Sequence, residues 1–243
     1  MVPAPVGVQC VECVRQNRPS TSPGQSVRRY TSGPVVTYSI IGLNVAVWLL
    51  GALAGPAAIL TGSPLARAFA LFGPAVAAGE WWRLVTYGFL HSGLLHIGFN
   101  MFALYILGPG LERILGRLGF IALYVAGLTA GSLGALLLSA NVPTVGASGA
   151  IFALMGATIM GQRATGINPW RSGIVGWVVI NLVFTVIYPG VSIGGHLGGL
   201  AGGLIAGLVL FRPRLRSSLA ALACLGLAAA FFVAGLWVAA NPR

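Results

Sequence analysis

The chain has 243 residues, of which 57% are hydrophobic and only 7% charged. Soluble domains carry about a quarter charged residues, so a soluble globular class is excluded. The net charge of +11 would raise nucleic acid as a partner for a soluble protein, but its placement along the chain gives it another meaning. All 14 basic residues are Arg, the acids are Glu12, Glu80 and Glu112, and there is no Asp. No Ser-His-Asp triad can be built from this chain.

Residues 1–34 are rich in Pro, Ser, Gly and Arg without periodicity and read as a flexible cytosolic tail. Cys10 and Cys13 within it form half of a zinc knuckle. A structural zinc site needs four ligands, and no second Cys or His pair lies nearby, so no metal is expected there. Met1 to Tyr30 holds no apolar signal-peptide core. The first hydrophobic segment is therefore expected to direct insertion. Cys224 lies in an apolar run and reads as a small packing residue.

Seven apolar segments follow, at about 36–60, 92–111, 118–139, 147–163, 173–190, 193–211 and 218–240. Arg15, Arg18, Arg28, Arg29, Arg113, Arg117, Arg163, Arg171, Arg212, Arg214 and Arg216 all fall on one side if these segments alternate. Only Arg67, Arg83 and Arg243 fall on the other. Positive residues collect on the cytoplasmic face, which puts the N-terminus inside and the C-terminus outside. The basic charge thus reads as a topology signal and a contact with anionic lipid, without a nucleic-acid partner. The loop Thr61–His91, carrying Leu71, Phe72, Glu80, Trp81, Trp82 and Arg83, is the one long external connection and is expected to lie partly in the headgroup layer.

Polar side chains within membrane spans are costly and mark function by default. With the topology above, His96 and Asn100 lie in the outer half of the second segment, Ser148 at the outer end of the fourth, and His196 in the first turn of the sixth. Three non-adjacent helices thereby bring polar residues to one depth. His96 and Asn100, four apart, share a helix face. Gly195, Gly199, Gly203 and Gly207 form a small-xxx-small ladder that admits a close neighbour. If that neighbour is the fourth helix, through Gly149, Ala153 and Gly156, Ser148 comes within reach of His196, as an unactivated Ser requires of its base. Gly146-Ala147-Ser148-Gly149 adds helix-start N–H groups, and with Asn100 and His96 the set is similar to an oxyanion hole. His91 reads as interfacial, and Asn181 as a helix-to-helix hydrogen bond.

These residues resemble the rhomboid intramembrane serine proteases, in order, across residues 36–211. Trp82-Arg83 matches a first-loop motif, His91 through His96 to Asn100 the second helix, and Glu112 to Gly116 a turn. Gly146-Ala147-Ser148-Gly149 matches the nucleophile motif, and His196 with Gly199 and Gly203 the His helix. The resemblance implies an all-α polytopic membrane protein with a rhomboid-like six-helix core at 35–211, followed by a basic linker and a seventh, C-terminal helix at 212–243. It implies a serine endopeptidase of the bacterial plasma membrane that cleaves single-span transmembrane substrates by a dyad without a cofactor. In that reading Ser148 is the nucleophile and His196 the base, while Asn100, His96 and the Ser148 N–H hold the oxyanion. The fifth helix gates lateral entry. Phe152 stands where the family often has a Tyr stacked on the His. Two other readings stay open: a non-catalytic scaffold gripping transmembrane helices, and a small transporter lined by His96, Asn100 and His196.

Overall fold

The computed structural model describes residues 33–53, 64–188, 190–213 and 215–242, with the backbone of Val2–Pro3 and Val8–Gln9. Cys10, Cys13 and the tail arginines lie outside the described residues. The chain divides into two compact units, Met1–Gly33 and Pro34–Arg243. In the first, the two short strands β1 (Val2–Pro3) and β2 (Val8–Gln9) pair antiparallel. The second is built of helices: α1 (Val35–Leu53), α2 (Pro64–Phe69), α3 (Gly73–Ala77), α4 (Arg83–Thr86), α5 (Leu94–Ser139), α6 (Ser148–Ala164), α7 (Ile174–Ile187), α8 (Ile193–Leu210) and α9 (Ser217–Ala240).

Four of these, α1, α5, α8 and α9, are long and apolar enough to cross a membrane. At about 1.5 Å per residue α5, with 46 residues, would be more than twice as long as the roughly 30 Å hydrocarbon layer. It is broken at Gly116, where φ is 72° and ψ 167°, a conformation that costs glycine little because it has no Cβ. The second and third apolar segments of the sequence are the two arms of this broken helix. Gly73 N–H donates to Ala140 O at 2.8 Å, and Leu71 and Thr144 exchange backbone hydrogen bonds at 3.0 and 2.9 Å. These bonds tie the chain after α5 to the segment that precedes it. Both ends of α5 therefore lie at one end of the molecule, here called the loop end, with Gly116 at the other. Near the Gly116 break, Glu112 accepts from Val36 N–H (2.9 Å), Thr37 N–H (2.8 Å) and the Thr37 hydroxyl (2.7 Å). It satisfies donors that the start of α1 leaves without intrahelical partners.

The interior is glycine packing. In lipid there is no hydrophobic force between helices, so close backbone approach supplies the attraction. On α8, a Cβ at Gly199 would run into the Gly149 carbonyl and one at Gly203 into the Ala153 backbone, both on α6. This is the neighbour expected of the ladder. A second face of the same helix, Gly194, Gly198 and Gly202, meets Gly134 and Ala130 of α5 equally closely. α8 is thus clasped from two sides, between α6 and the second arm of α5.

The loop before α5 is partly packed into the protein. Leu71 is buried, and so is Arg83, whose guanidinium donates to Glu80 Oε2, Ala70 O and Arg67 O at 2.5–2.8 Å. Trp82 Nε1 donates to Ala68 O at 3.2 Å. Trp81, 57% exposed, and Phe69, 39% exposed, keep a surface position. Two backbone carbonyls bring the Arg inward, and composition does not record them.

Candidate active site

Ser148 is the first residue of α6, so its backbone N–H has no acceptor within the helix. Gly146, two residues earlier, has φ +126°, and a Cβ there would sit 2.7 Å from His96 Nε2 and 3.7 Å from Ser148 Oγ. Glycine at 146 thus serves both the turn and the approach of the His96 ring. The segment is held from behind, because Gly146 N–H donates to Tyr87 O at 3.0 Å and the Tyr87 hydroxyl to Leu128 O at 2.8 Å.

His196 stands in the first turn of α8. Its ring stacks on Phe152, one turn beyond Ser148, with centroids 4.3 Å apart and planes at 24°. Its Nδ1 lies 2.6 Å from the hydroxyl of Thr185 on α7. No hydrogen bond joins Ser148 Oγ to His196 among the described residues. Catalytic hydrogen bonds often tighten only when a substrate is bound.

The second histidine of the cluster is oriented differently. Ser92 N–H donates to His96 Nδ1 at 3.4 Å, and the Ser92 hydroxyl lies 3.1 Å from the same nitrogen. A backbone N–H can only donate, so Nδ1 is the acceptor and, in the neutral ring, Nε2 carries the proton. That N–H is the one beside Gly146 and Ser148. Asn100 is buried one turn along, and its Nδ2 donates to His96 O at 2.8 Å. One of its two amide hydrogens remains for a ligand.

Ser148, His196, His96, Gly146, Gly149, Phe152 and Gly199 therefore lie together toward the loop end, Asn100 is joined to them through the His96 carbonyl, and Gly203 packs against Ala153 further along α8. Two expectations fail. His91 is buried rather than interfacial, with its ring edge-on to His96 at 5.0 Å between centroids. Asn181 does not bridge helices: its Nδ2 donates to Trp177 O of its own helix, and its backbone carbonyl accepts from Thr185. Thr185 and Ser92 were not among the candidates. Neither carried a sequence signal, since each gains its role from a partner brought in by folding.

The family model for the Rhomboid domain matches residues 78–213, more than half of the chain and all of this cluster. The chain belongs to the rhomboid family. It is similar to Rhomboid protease GluP of Bacillus subtilis (strain 168), 34% identical over 158 residues, 62% of this chain and 30% of GluP. RHOMBOID-like protein 9, chloroplastic, of Arabidopsis thaliana is 44% identical over 88 residues, 36% of this chain and 20% of that protein. Inactive RHOMBOID-like protein 8 of the same plant is 35% identical over 107 residues, 44% of this chain and 30% of that protein. The chain thus spans less than a third of the length of each of these three rhomboid relatives. Like the family, it is a multi-pass integral membrane protein built of helices. The C-terminal helix, α9, begins beyond the matched region.

Proposed function

We propose that this rhomboid protein is a serine endopeptidase that cleaves single-span transmembrane proteins near the outer leaflet, with the loop end facing outward and the N-terminus in the cytoplasm. The observation that carries the reading is the stack of His196 on Phe152, which holds the imidazole one turn from Ser148. A relative named as inactive means that family membership alone does not supply the activity.

In the proposed reaction His196 Nε2 takes the Ser148 hydroxyl proton as Oγ attacks the scissile carbonyl carbon. The oxyanion that forms receives hydrogen bonds from His96 Nε2–H, an Asn100 amide N–H and the Ser148 backbone N–H. Donors already in place at a developing charge lower the barrier without reorganising. The imidazolium then returns its proton to the leaving amine, and water, activated by the same ring, releases the acyl group from Ser148. Domain roles follow: residues 35–211 form the catalytic core, and residues 212–243 add a linker and the seventh helix.

The test is cleavage of a single-span substrate in liposomes. Ser148→Ala and His196→Ala are each expected to lower the rate by at least about a thousandfold, while their unfolding temperatures stay at the wild-type value. Undiminished cleavage by Ser148→Ala would reject Ser148 as the nucleophile, and a wild type that neither cleaves nor is labelled at its serine by a fluorophosphonate would reject the reading in favour of a binding scaffold.

A further inference from the structure

Thr185 has one hydroxyl proton and two neighbours that compete for it. Its Oγ1 lies 2.7 Å from Asn181 O, one turn back on α7, and 2.6 Å from His196 Nδ1 on α8. A carbonyl can only accept, and threonines in helices commonly give their proton to the carbonyl four residues earlier. With the proton spent there, Oγ1 can only accept from His196, so Nδ1 carries the ring hydrogen and the Nε2 lone pair is left free. A dyad base must have this tautomer. The chain has no Asp to impose it, and the carboxylates among the described residues, Glu80 and Glu112, are engaged elsewhere, with Arg83 and with the start of α1.

We infer that Thr185 is a positioning residue that sets the tautomer of His196, doing with a neutral hydroxyl what a carboxylate does in a triad; this rests on the protease reading above. Its place on α7 adds to the case. Ile174, Val178 and Thr185 are the buried residues of that helix, while Val179, Ile180, Val183, Phe184, Val186 and Ile187 face outward. A hydroxyl buried on so thinly covered a helix has its own carbonyl and the imidazole as its hydrogen-bond partners. His96, held by Ser92, carries its proton on the opposite nitrogen. The site thereby contains one imidazole ready to accept at Nε2 and one ready to donate there.

The test uses the full chain in lipid with ¹⁵N-labelled histidine rings, at about pH 8 where imidazole is neutral, with His196→Gln identifying the His196 signals. Wild type and Thr185→Ser are expected to show His196 protonated at Nδ1 and bare at Nε2, and Thr185→Val a mixture of both forms. In substrate cleavage Thr185→Val should lower kcat about tenfold with KM unchanged, and Thr185→Ser should restore it. A wild-type His196 protonated at Nε2, an unchanged tautomer in Thr185→Val, or a Thr185→Ser as slow as Thr185→Val would each overturn the inference. If the tautomers are as stated while wild type cleaves no better than Ser148→Ala, the protease reading fails and the role of Thr185 in orienting the ring stands.

Discussion

A histidine buried to 5% exposure loses most of the solvation that its charged form needs. For His91, burial first and the neighbouring His96 ring second push the pKa down to about 3, against about 6.5 for a free imidazole. Between those values the unfolded chain binds a proton that the folded chain refuses. The stability His91 contributes is therefore complete above about pH 6.5 and is lost as pH falls toward 3. His91→Gln, which cannot titrate, is expected to show a flatter fall in unfolding temperature than wild type between about pH 7 and pH 5. Equal slopes would show that His91 plays no part in acid sensitivity. The burial of His91 could not be read from its place at a segment boundary. Ser148, His196, His96 and Asn100 were legible because polar groups stand out against an apolar background. Thr185 was not, since a hydroxyl that bonds its own helix is commonplace and its second partner sits on another helix, across a turn that sequence does not measure.

At the scale of an element, α8 illustrates what a glycine ladder can and cannot disclose. The row Gly195, Gly199, Gly203 and Gly207 signalled a close neighbour, and α6 is that neighbour. The row Gly194, Gly198 and Gly202 serves a second helix, but in so glycine-rich a segment no row stands out until its partner is known. The atoms facing Gly203 are backbone atoms of Ala153, which cannot swing aside. Gly203→Leu is thus expected to cost about 3 kcal/mol or more, read as a large drop in unfolding temperature. Gly226→Leu, on an open face of α9, serves as the control and should stay near wild type. A tolerated Gly203→Leu would mean that α6 and α8 do not approach as described.

For the whole molecule, the helices long and apolar enough to cross a membrane, α1, α5, α8 and α9, were legible because hydrocarbon thickness sets a minimum length for a span. The segment from Pro64 to His91 was not, since its packing comes from one arginine and the carbonyls around it. α9 bears on that loop. Phe232 meets Trp81 edge-on, with centroids 6.4 Å apart, and a Cβ at Gly235 would lie 3.2 Å from Leu84, the residue after Arg83. Gly235→Leu is expected to crowd Leu84 at a cost of about 1–3 kcal/mol and to speed amide hydrogen exchange through Trp81–Tyr87. Unchanged exchange there would detach α9 from the loop.

The stack of His196 on Phe152 has a further meaning for charge. No carboxylate of the described residues stands at the site, so with both imidazoles neutral, as the proposed reaction requires at its start, the cluster carries no charge from Ser148 to Asn100. In the proposed reaction a cation and an anion appear together, the imidazolium and the oxyanion, and vanish together when the leaving amine takes its proton. The ring face of Phe152 offers the passing cation an electron-rich surface that itself carries no net charge. A membrane enzyme built this way keeps no permanent ion at its centre, and borrows one only for the lifetime of an intermediate.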